Sequence, residues 1–191
     1  MDFELSEEQG MIFDMARDFG QASIAPHARD WEDQGTIPKS LWKECAELGF
    51  GGLYLSEEVG GSALGRLEST LVFEGLSQSC ASVAAFLSIH NMCAGMIEKF
   101  GSDELKTRFL PDIVSMKKIM SYCLTEPGSG SDAAALKTRA EVDDQGYRLT
   151  GTKAFISGGG YSDAYIVMAR SGEAGPKGIS AIVVEDGTQG L

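Results

Sequence analysis

Tyr122-Cys123-Leu124-Thr125-Glu126-Pro127-Gly128-Ser129-Gly130-Ser131-Asp132 is the run from which the rest of this chain is read. It follows a short apolar segment and combines small hydroxyl side chains, two glycines and a proline that fixes one turn angle. Glycine admits positive φ and close backbone approach, so successive N–H groups can converge on one point. Such a concavity suits an anion, most often a phosphate or pyrophosphate, and hydroxyls add donors without bulk. The spacing is not G-x-G-x-x-G and no G-K-[ST] follows, so neither dinucleotide nor P-loop fingerprint applies. Residue types alone leave two readings open, a surface turn and an anion cradle.

A second run, Gly151-Thr152-Lys153-Ala154-Phe155-Ile156-Ser157-Gly158-Gly159, lies a short hairpin downstream. The pair, in this order and separation, resembles the flavin-binding middle region of the acyl-CoA dehydrogenases. There the first run reads roughly Y-C-[LVM]-T-E-P-x-[AS]-G-S-D and the second roughly G-x-K-x-[WF]-I-[ST]-[NG]. Weaker agreement comes from an entry helix after Ser6-Glu7-Glu8-Gln9. Ser56-Glu57-Glu58-Val59-Gly60-Gly61 adds to it, resembling the family's P-E-E-x-G-G with serine in place of proline. The resemblance covers the whole chain.

Bulk properties narrow the partners. A chain of 191 residues, 43% hydrophobic, can bury a substantial core in one domain or two small ones. A formal charge of −12 argues against nucleic acid and against anionic membrane surfaces. Cysteines 45, 80, 93 and 123 form no C-x-x-C pair, and His27 and His90 are far apart, which argues against a metal site. Buried thiols in a reducing compartment are expected. The start Met1-Asp2-Phe3-Glu4 carries no basic-then-apolar signal. The most apolar stretch, 81–97, is interrupted by Ser82, Ser88, His90 and Asn91 and reads as a buried helix. A soluble protein of the bacterial cytoplasm, or of the mitochondrial matrix after processing, is expected.

The spacing predicts helices first and strands later. Ser6 with Gln9 gives a capping-box start, and Met11, Ile12, Met15 and Phe19 recur at helical spacing until Pro26 limits or kinks the helix. Pro38 opens a second helix carrying Leu41, Trp42, Cys45 and Leu48, which Gly49 stops. Leu67, Leu71, Phe73 and Leu76 predict a third, and 81–100 a fourth. A short helix starts at Ser102-Asp103 and is closed by Pro111, with a final turn expected at 113–118. Near Ile119 the pattern changes to short β-branched and aromatic runs: 137–142, 147–150, 154–157, 164–169 and 179–185. Asp143-Asp144-Gln145-Gly146 and 171–178 are the connecting loops. The expected fold class is α+β: an all-α helical bundle over 1–118, then a partial antiparallel β-barrel-like domain over 119–191. The family continues with more β structure and a C-terminal four-helix domain, so the chain is read as a fragment.

The resemblance implies FAD-dependent α,β-dehydrogenation of an acyl-CoA, with electrons passing to electron-transferring flavoprotein. It further implies a homotetramer in the complete form. Tyr122, Leu124 and Thr125 would lie along the flavin ring, and Gly130 and Ser131 would contact the FAD pyrophosphate. Ser131 would also touch the CoA thioester arm. Phe155, Ile156 and Ser157 would complete the flavin site from an opposite strand, with phenylalanine where the family more often has tryptophan. The Phe-Ile-Ser form is similar to that of isobutyryl-CoA dehydrogenases, a branched short-chain subgroup that fits valine degradation. The plain structural alternatives are a strand end at Thr125 and an inward core aromatic at Phe155. Glu126 is expected to pair with a cation or cap N–H groups, because its charge opposes a phosphate. His90-Asn91 on the apolar helix has two readings, an acyl-pocket lining and, more commonly, a buried, satisfied histidine. Lys137 and Arg139 flank the loop as phosphate attractors or, as strand residues usually are, as solvated charges. The family's catalytic glutamate comes, in the commonest arrangement, from the C-terminal domain, and no residue here matches it, so no catalytic residue is assigned. The chain alone is expected to be inactive and to hold FAD poorly. A non-catalytic CoA-ester- or FAD-binding or interaction module and an acyl-CoA oxidase are the rival readings.

Overall fold

The computed structural model describes residues 4–144 and 146–191. Met1 to Phe3 of the chain start and Gln145 of the expected hairpin loop lie outside the described residues. The chain divides into two compact units, one ending at Lys118 and the other starting at Ile119.

The first unit is helical: α1 (Glu7–Phe19), α2 (Ala28–Gln34), α3 (Lys39–Glu47), α4 (Arg66–Ser77), α5 (Ala81–Phe100) and α6 (Asp103–Val114). The α1 capping box forms as the sequence predicts: Gln9 N–H donates to Ser6 Oγ at 3.2 Å, and Ser6 N–H to Gln9 Oε1 at 3.1 Å. A π-helical turn, Gly20–Ile24, carries α1 toward Pro26, and α2 follows it. Pro26 interrupts the helical run, and a new helix restarts two residues later. Gly49, at φ 77, takes the left-handed position after α3 that glycine fills at low strain. Pro111 lies inside α6 and does not close it. It removes one backbone donor, but Phe109, Leu110 and Ile113 are buried on the core side, and that burial carries the helix to Val114.

The core of this unit surrounds α5, which buries Val83, Ala84, Phe86, Leu87, His90, Asn91, Cys93, Ala94 and Ile97. Asn91 is fully buried, and its amide oxygen and both amide hydrogens are engaged. Its Oδ1 accepts the Leu53 N–H at 2.7 Å, and its Nδ2 donates to the Phe50 and Leu87 carbonyls at 2.8 and 3.1 Å. His90 Nε2 lies 3.1 Å from the Ile113 carbonyl and must be the donor, since a carbonyl only accepts. Burial drives the His90 ring down to about 4, so it is neutral at pH 7. Both side chains tie α5 to neighbouring backbone, the satisfied-histidine outcome. No described helix is long and apolar enough to cross a membrane.

The second unit is a five-stranded mixed sheet: β1 (Met120–Cys123), β2 (Arg139–Asp143), β3 (Gly146–Thr150), β4 (Ala164–Arg170) and β5 (Ile179–Glu185). β4 is central. It pairs with β1 in parallel, from Met120↔Ala164 to Cys123↔Val167. Its other long partner is β5, antiparallel from Ala164↔Glu185 to Arg170↔Ile179. β2 and β3 form an antiparallel pair that joins β4 only through Arg139↔Arg170. The α+β class holds, but the sheet is mixed and open, where an antiparallel barrel-like domain was expected. The physical reason is β1. The chain leaves it through the Glu126–Ser129 turn and the β2–β3 hairpin and returns in the same direction as β4, which imposes parallel pairing. The expected strand at 154–157 is absent, because Phe155 adopts φ 56 and breaks the extended run.

Candidate flavin site

β1 carries the first candidate run to an edge of the sheet, and the second run lies beside it in opposite direction. Ala154 N–H donates to the Thr125 carbonyl at 2.9 Å, and four residues back the Ser121 hydroxyl donates to the Ser157 carbonyl. Ser121 Oγ also lies 2.7 Å from Ser162 Oγ, which fixes its direction below the sheet surface. Residues 154–157 are thus clamped along 121–125 without becoming a ladder strand. Between the clamps, Ile156 packs against a small core of Cys123, Tyr165 and Val167. Burial there pushes the Cys123 thiol up to about 11, so it is an uncharged packing group.

Ile156 points in and Phe155 points out. Phe155 is 96% exposed, so it is not the inward core aromatic that a strand would have made of it. Tyr122, Leu124 and Thr125 are half-buried, Ile156 is half-buried, and Ser157 is exposed. Beyond Thr125 the chain turns: Glu126 and Ser129 exchange backbone hydrogen bonds at 3.0 and 3.1 Å, and Ser129 Oγ donates to the Asp132 carbonyl at 2.6 Å. Gly130 and Ser131 are exposed on this turn. Gly128 and Gly130 do not use positive φ, and a Cβ at either would meet nothing within 4 Å. What these glycines provide is uncovered backbone, not the left-handed turn their residue type permits.

Glu126 organises the floor. It is 7% exposed, and both carboxylate oxygens are occupied. Oε2 accepts the Lys137 N–H at 2.6 Å; Oε1 accepts the Thr138 N–H at 2.8 Å and the Lys153 ammonium at 2.9 Å. Burial opposes its charge, but hydrogen bonds from Thr138, from the Lys137 N–H and from Lys153 outweigh burial and bring it down to about 2. Glu126 both pairs with a cation and caps N–H groups. Lys137 and Arg139, in contrast, have exposed side chains.

Sequence reasoning assigned no role to Lys153 or Ser121. Lys153 stands in the G-x-K of the second run, and a lysine between Thr152 and Ala154, ahead of an apolar pair, was the available signal. Ser121 gave none, since one hydroxyl in a four-residue strand is unremarkable by type.

The chemistry on offer is hydrogen-bond donation beside an aromatic face. Among the described residues, the N–H groups of Thr125, Gly130, Ser131 and Ser157 and the hydroxyls of Thr125, Ser131 and Ser157 have no protein partner. Such a set suits a planar ligand with acceptor atoms along one edge and an anionic extension. No cluster of His, Cys, Asp and Glu among the described residues could hold a metal ion.

Comparison with known proteins places both units in one family. Residues 6–117 match the acyl-CoA dehydrogenase N-terminal domain, and residues 121–191 match the acyl-CoA dehydrogenase middle domain. The mitochondrial isobutyryl-CoA dehydrogenase of Dictyostelium discoideum is 53% identical over 188 residues, that of Bos taurus 49% over 187; each alignment covers 98% of this chain and 45% of the relative. Among solved structures, butyryl-CoA dehydrogenase from Megasphaera elsdenii superposes with a TM-score of 0.87 at 38% identity, covering 100% of this chain and 50% of that one. PigA with FAD and proline superposes with a TM-score of 0.90 at 34% identity, covering 100% and 51%. The chain spans about half the length of the relatives it matches. With both domain matches in chain order over nearly its whole length, this chain belongs to the acyl-CoA dehydrogenase family.

Proposed function

We propose that this chain forms the N-terminal part of an FAD-dependent acyl-CoA dehydrogenase acting on a short, branched acyl-CoA, of the kind met in valine breakdown. One observation carries the reading. Two runs whose starts lie 29 residues apart are joined at Ala154 and Thr125, and the join leaves unpartnered donors at Thr125 and Ser157 on either side of the exposed Phe155 position in the chain pairing. A flavin fits that set: its ring is planar and rich in acceptors on the pyrimidine edge, and FAD adds a pyrophosphate. Bound FAD would supply the hydride acceptor for α,β-dehydrogenation.

The chain's own residues bind and orient. Thr125 offers its N–H and hydroxyl to the ring edge, and Ser157 a second hydroxyl. Tyr122, Leu124 and Ile156 supply apolar contact, and Phe155 covers one side of the ring from water. Gly130 and Ser131 donate to the pyrophosphate, and Ser131 also steers the CoA thioester arm. None of these groups is a base. Glu126 is fully engaged by donors, so it does not take the α-proton. The base is proposed to come from the part of the relatives' length that this chain does not span. The 191 residues alone then bind flavin weakly and turn nothing over. Electron-transferring flavoprotein is the proposed acceptor and a homotetramer the proposed complete form, in the bacterial cytoplasm or the mitochondrial matrix.

The test is a titration of the purified chain with FAD, followed by flavin fluorescence and visible absorption. Saturable uptake approaching one flavin per chain supports the reading. A chain that leaves flavin emission unchanged at high protein concentration sinks it.

A further inference from the structure

We propose that Lys153 is a positioning residue for the flavin site: it fixes the Leu124–Thr125 peptide so that the Thr125 N–H is presented as a donor. This rests on the FAD reading above. The Lys153 side chain is 11% exposed, and its ammonium lies 2.9 Å from Glu126 Oε1 and 2.9 Å from the Leu124 carbonyl oxygen. Glu126 is itself anchored on the Lys137 and Thr138 N–H groups. The ammonium is therefore held by a carboxylate that cannot swing, and it holds a carbonyl in turn.

The consequence follows from peptide geometry. In a trans peptide the C=O and the following N–H point in opposite directions. With the Leu124 C=O directed to Lys153, the Thr125 N–H is directed away from it, and that N–H has no protein partner among the described residues. The next residue repeats the device, since Ala154 N–H takes the Thr125 carbonyl at 2.9 Å. Consecutive residues 153 and 154 thereby fix consecutive carbonyls 124 and 125. A buried hydrogen bond from a charged donor is among the stronger ones a protein makes, so its loss frees the peptide to rotate.

The experiment compares the wild-type chain with Lys153→Met, which keeps the stem and removes the donors, and with Ile166→Val. Ile166 is buried on β4 and touches neither Glu126 nor Lys153 in any hydrogen bond, so its truncation lowers stability without disturbing the pair. Backbone hydrogen exchange is followed in the unliganded chains, and FAD affinity by fluorescence titration. In Lys153→Met, exchange of the Ala154 N–H rises by about ten-fold or more while the β4 amides keep their protection, and the FAD dissociation constant rises by about the same factor. Ile166→Val changes neither quantity. Unchanged Ala154 exchange in Lys153→Met, unchanged affinity there, or an equal affinity loss in Ile166→Val each overturns the positioning role alone. A wild-type chain that takes up no FAD overturns the flavin reading and the positioning role with it, whatever the exchange result.

Discussion

Thr125 accepts the Ala154 amide at 2.9 Å, and the very next side chain, Phe155, is 96% exposed at φ 56. A phenylalanine in the left-handed region is strained, and one with nothing to pack against gains no burial to offset the strain. Both features cost the fold of this unit, and neither is offset by packing within it. Ile156, one position on, carries the packing against Cys123, Tyr165 and Val167.

This division gives the first prediction. Phe155→Gly relieves roughly 1 kcal/mol of left-handed strain against a similar rise in unfolded-chain entropy, so the thermal midpoint stays within a few degrees of wild type. Flavin affinity falls with the lost aromatic face. Ile156→Ala, by contrast, removes a partly buried side chain and loses about 1–3 kcal/mol. Thermal unfolding of the two variants decides: equal losses would make Phe155 a core residue after all.

How far the sequence foretold this site depends on which residues are asked. The runs 122–132 and 151–159 were legible because they need particular residue types at particular spacings. Their contact was not legible, because it rests on Lys153 and on a Ser121 hydroxyl, neither of which stands out by type. The strand expected at 154–157 failed on one backbone angle, that of Phe155, which no period-2 pattern reports. β1 was passed over as a bare apolar segment, since four residues are too short to show alternation. In the helical unit, caps and stripes located the helix over 7–19, those over 39–47, 66–77 and 81–100, and the start of the one at Asp103. Prolines misled twice. Pro26 hid the restart at Ala28, and Pro111 was taken to end a helix that burial of Phe109, Leu110 and Ile113 sustains.

Acid should loosen the two units in separate pH ranges. An unfolded chain protonates His90 near 6.5, whereas the folded, buried ring waits until about 4. Below 6.5 the unfolded state binds more protons, so stability of the helical unit falls as pH drops toward 4, by on the order of 3 kcal/mol at most. Glu126 is held at about 2 against an ordinary 4.5, so its contribution is complete above 4.5 and is lost as pH falls toward 2. Both tryptophans, Trp31 and Trp42, lie in the helical unit, so their fluorescence reports that unit. The tryptophan transition is expected at higher pH than loss of amide protection in β4. His90→Gln should flatten the upper window and Glu126→Gln the lower. A tryptophan transition that ignores His90→Gln would contradict the assignment.

Two glycines in helices should respond to alanine with opposite sign. At Gly10, on α1, a Cβ meets nothing within 4 Å, so Gly10→Ala adds helix propensity and stabilises by about 0.5–1 kcal/mol. At Gly75, on α4, a Cβ would stand 2.9 Å from the Arg17 nitrogen, 2.9 Å from the Phe13 carbonyl oxygen and 3.0 Å from the Ala16 Cβ. Two of these are α1 backbone atoms and cannot rotate aside, so the helices must separate. Gly75→Ala then destabilises by about 1–3 kcal/mol despite the same propensity gain. Urea midpoints of the two variants, measured side by side, check the sign of each.

Ser56 stands where the family motif has proline, and its surroundings say what serine adds. Its φ of −65 is one that proline adopts without strain. Its N–H and hydroxyl donate to Glu98 Oε1 at 2.9 and 2.8 Å, which ties the turn before Glu57 to α5. Ser56→Pro would gain about 0.4–1 kcal/mol by restricting the unfolded chain, and it would remove both donors to a charged acceptor. Each bond to a half-buried carboxylate contributes about 1 kcal/mol or somewhat more. The bonds outweigh the entropy, so Ser56→Pro should be net destabilising by about 1–2 kcal/mol. Ser56→Ala keeps the N–H and should fall between wild type and proline. Denaturant midpoints for the three chains, repeated on a Glu98→Gln background, test the order. If proline proves as stable as serine, the Glu98 bonds together are worth no more than the entropy gain of about 0.4–1 kcal/mol, and serine at this position has no net stability advantage over proline.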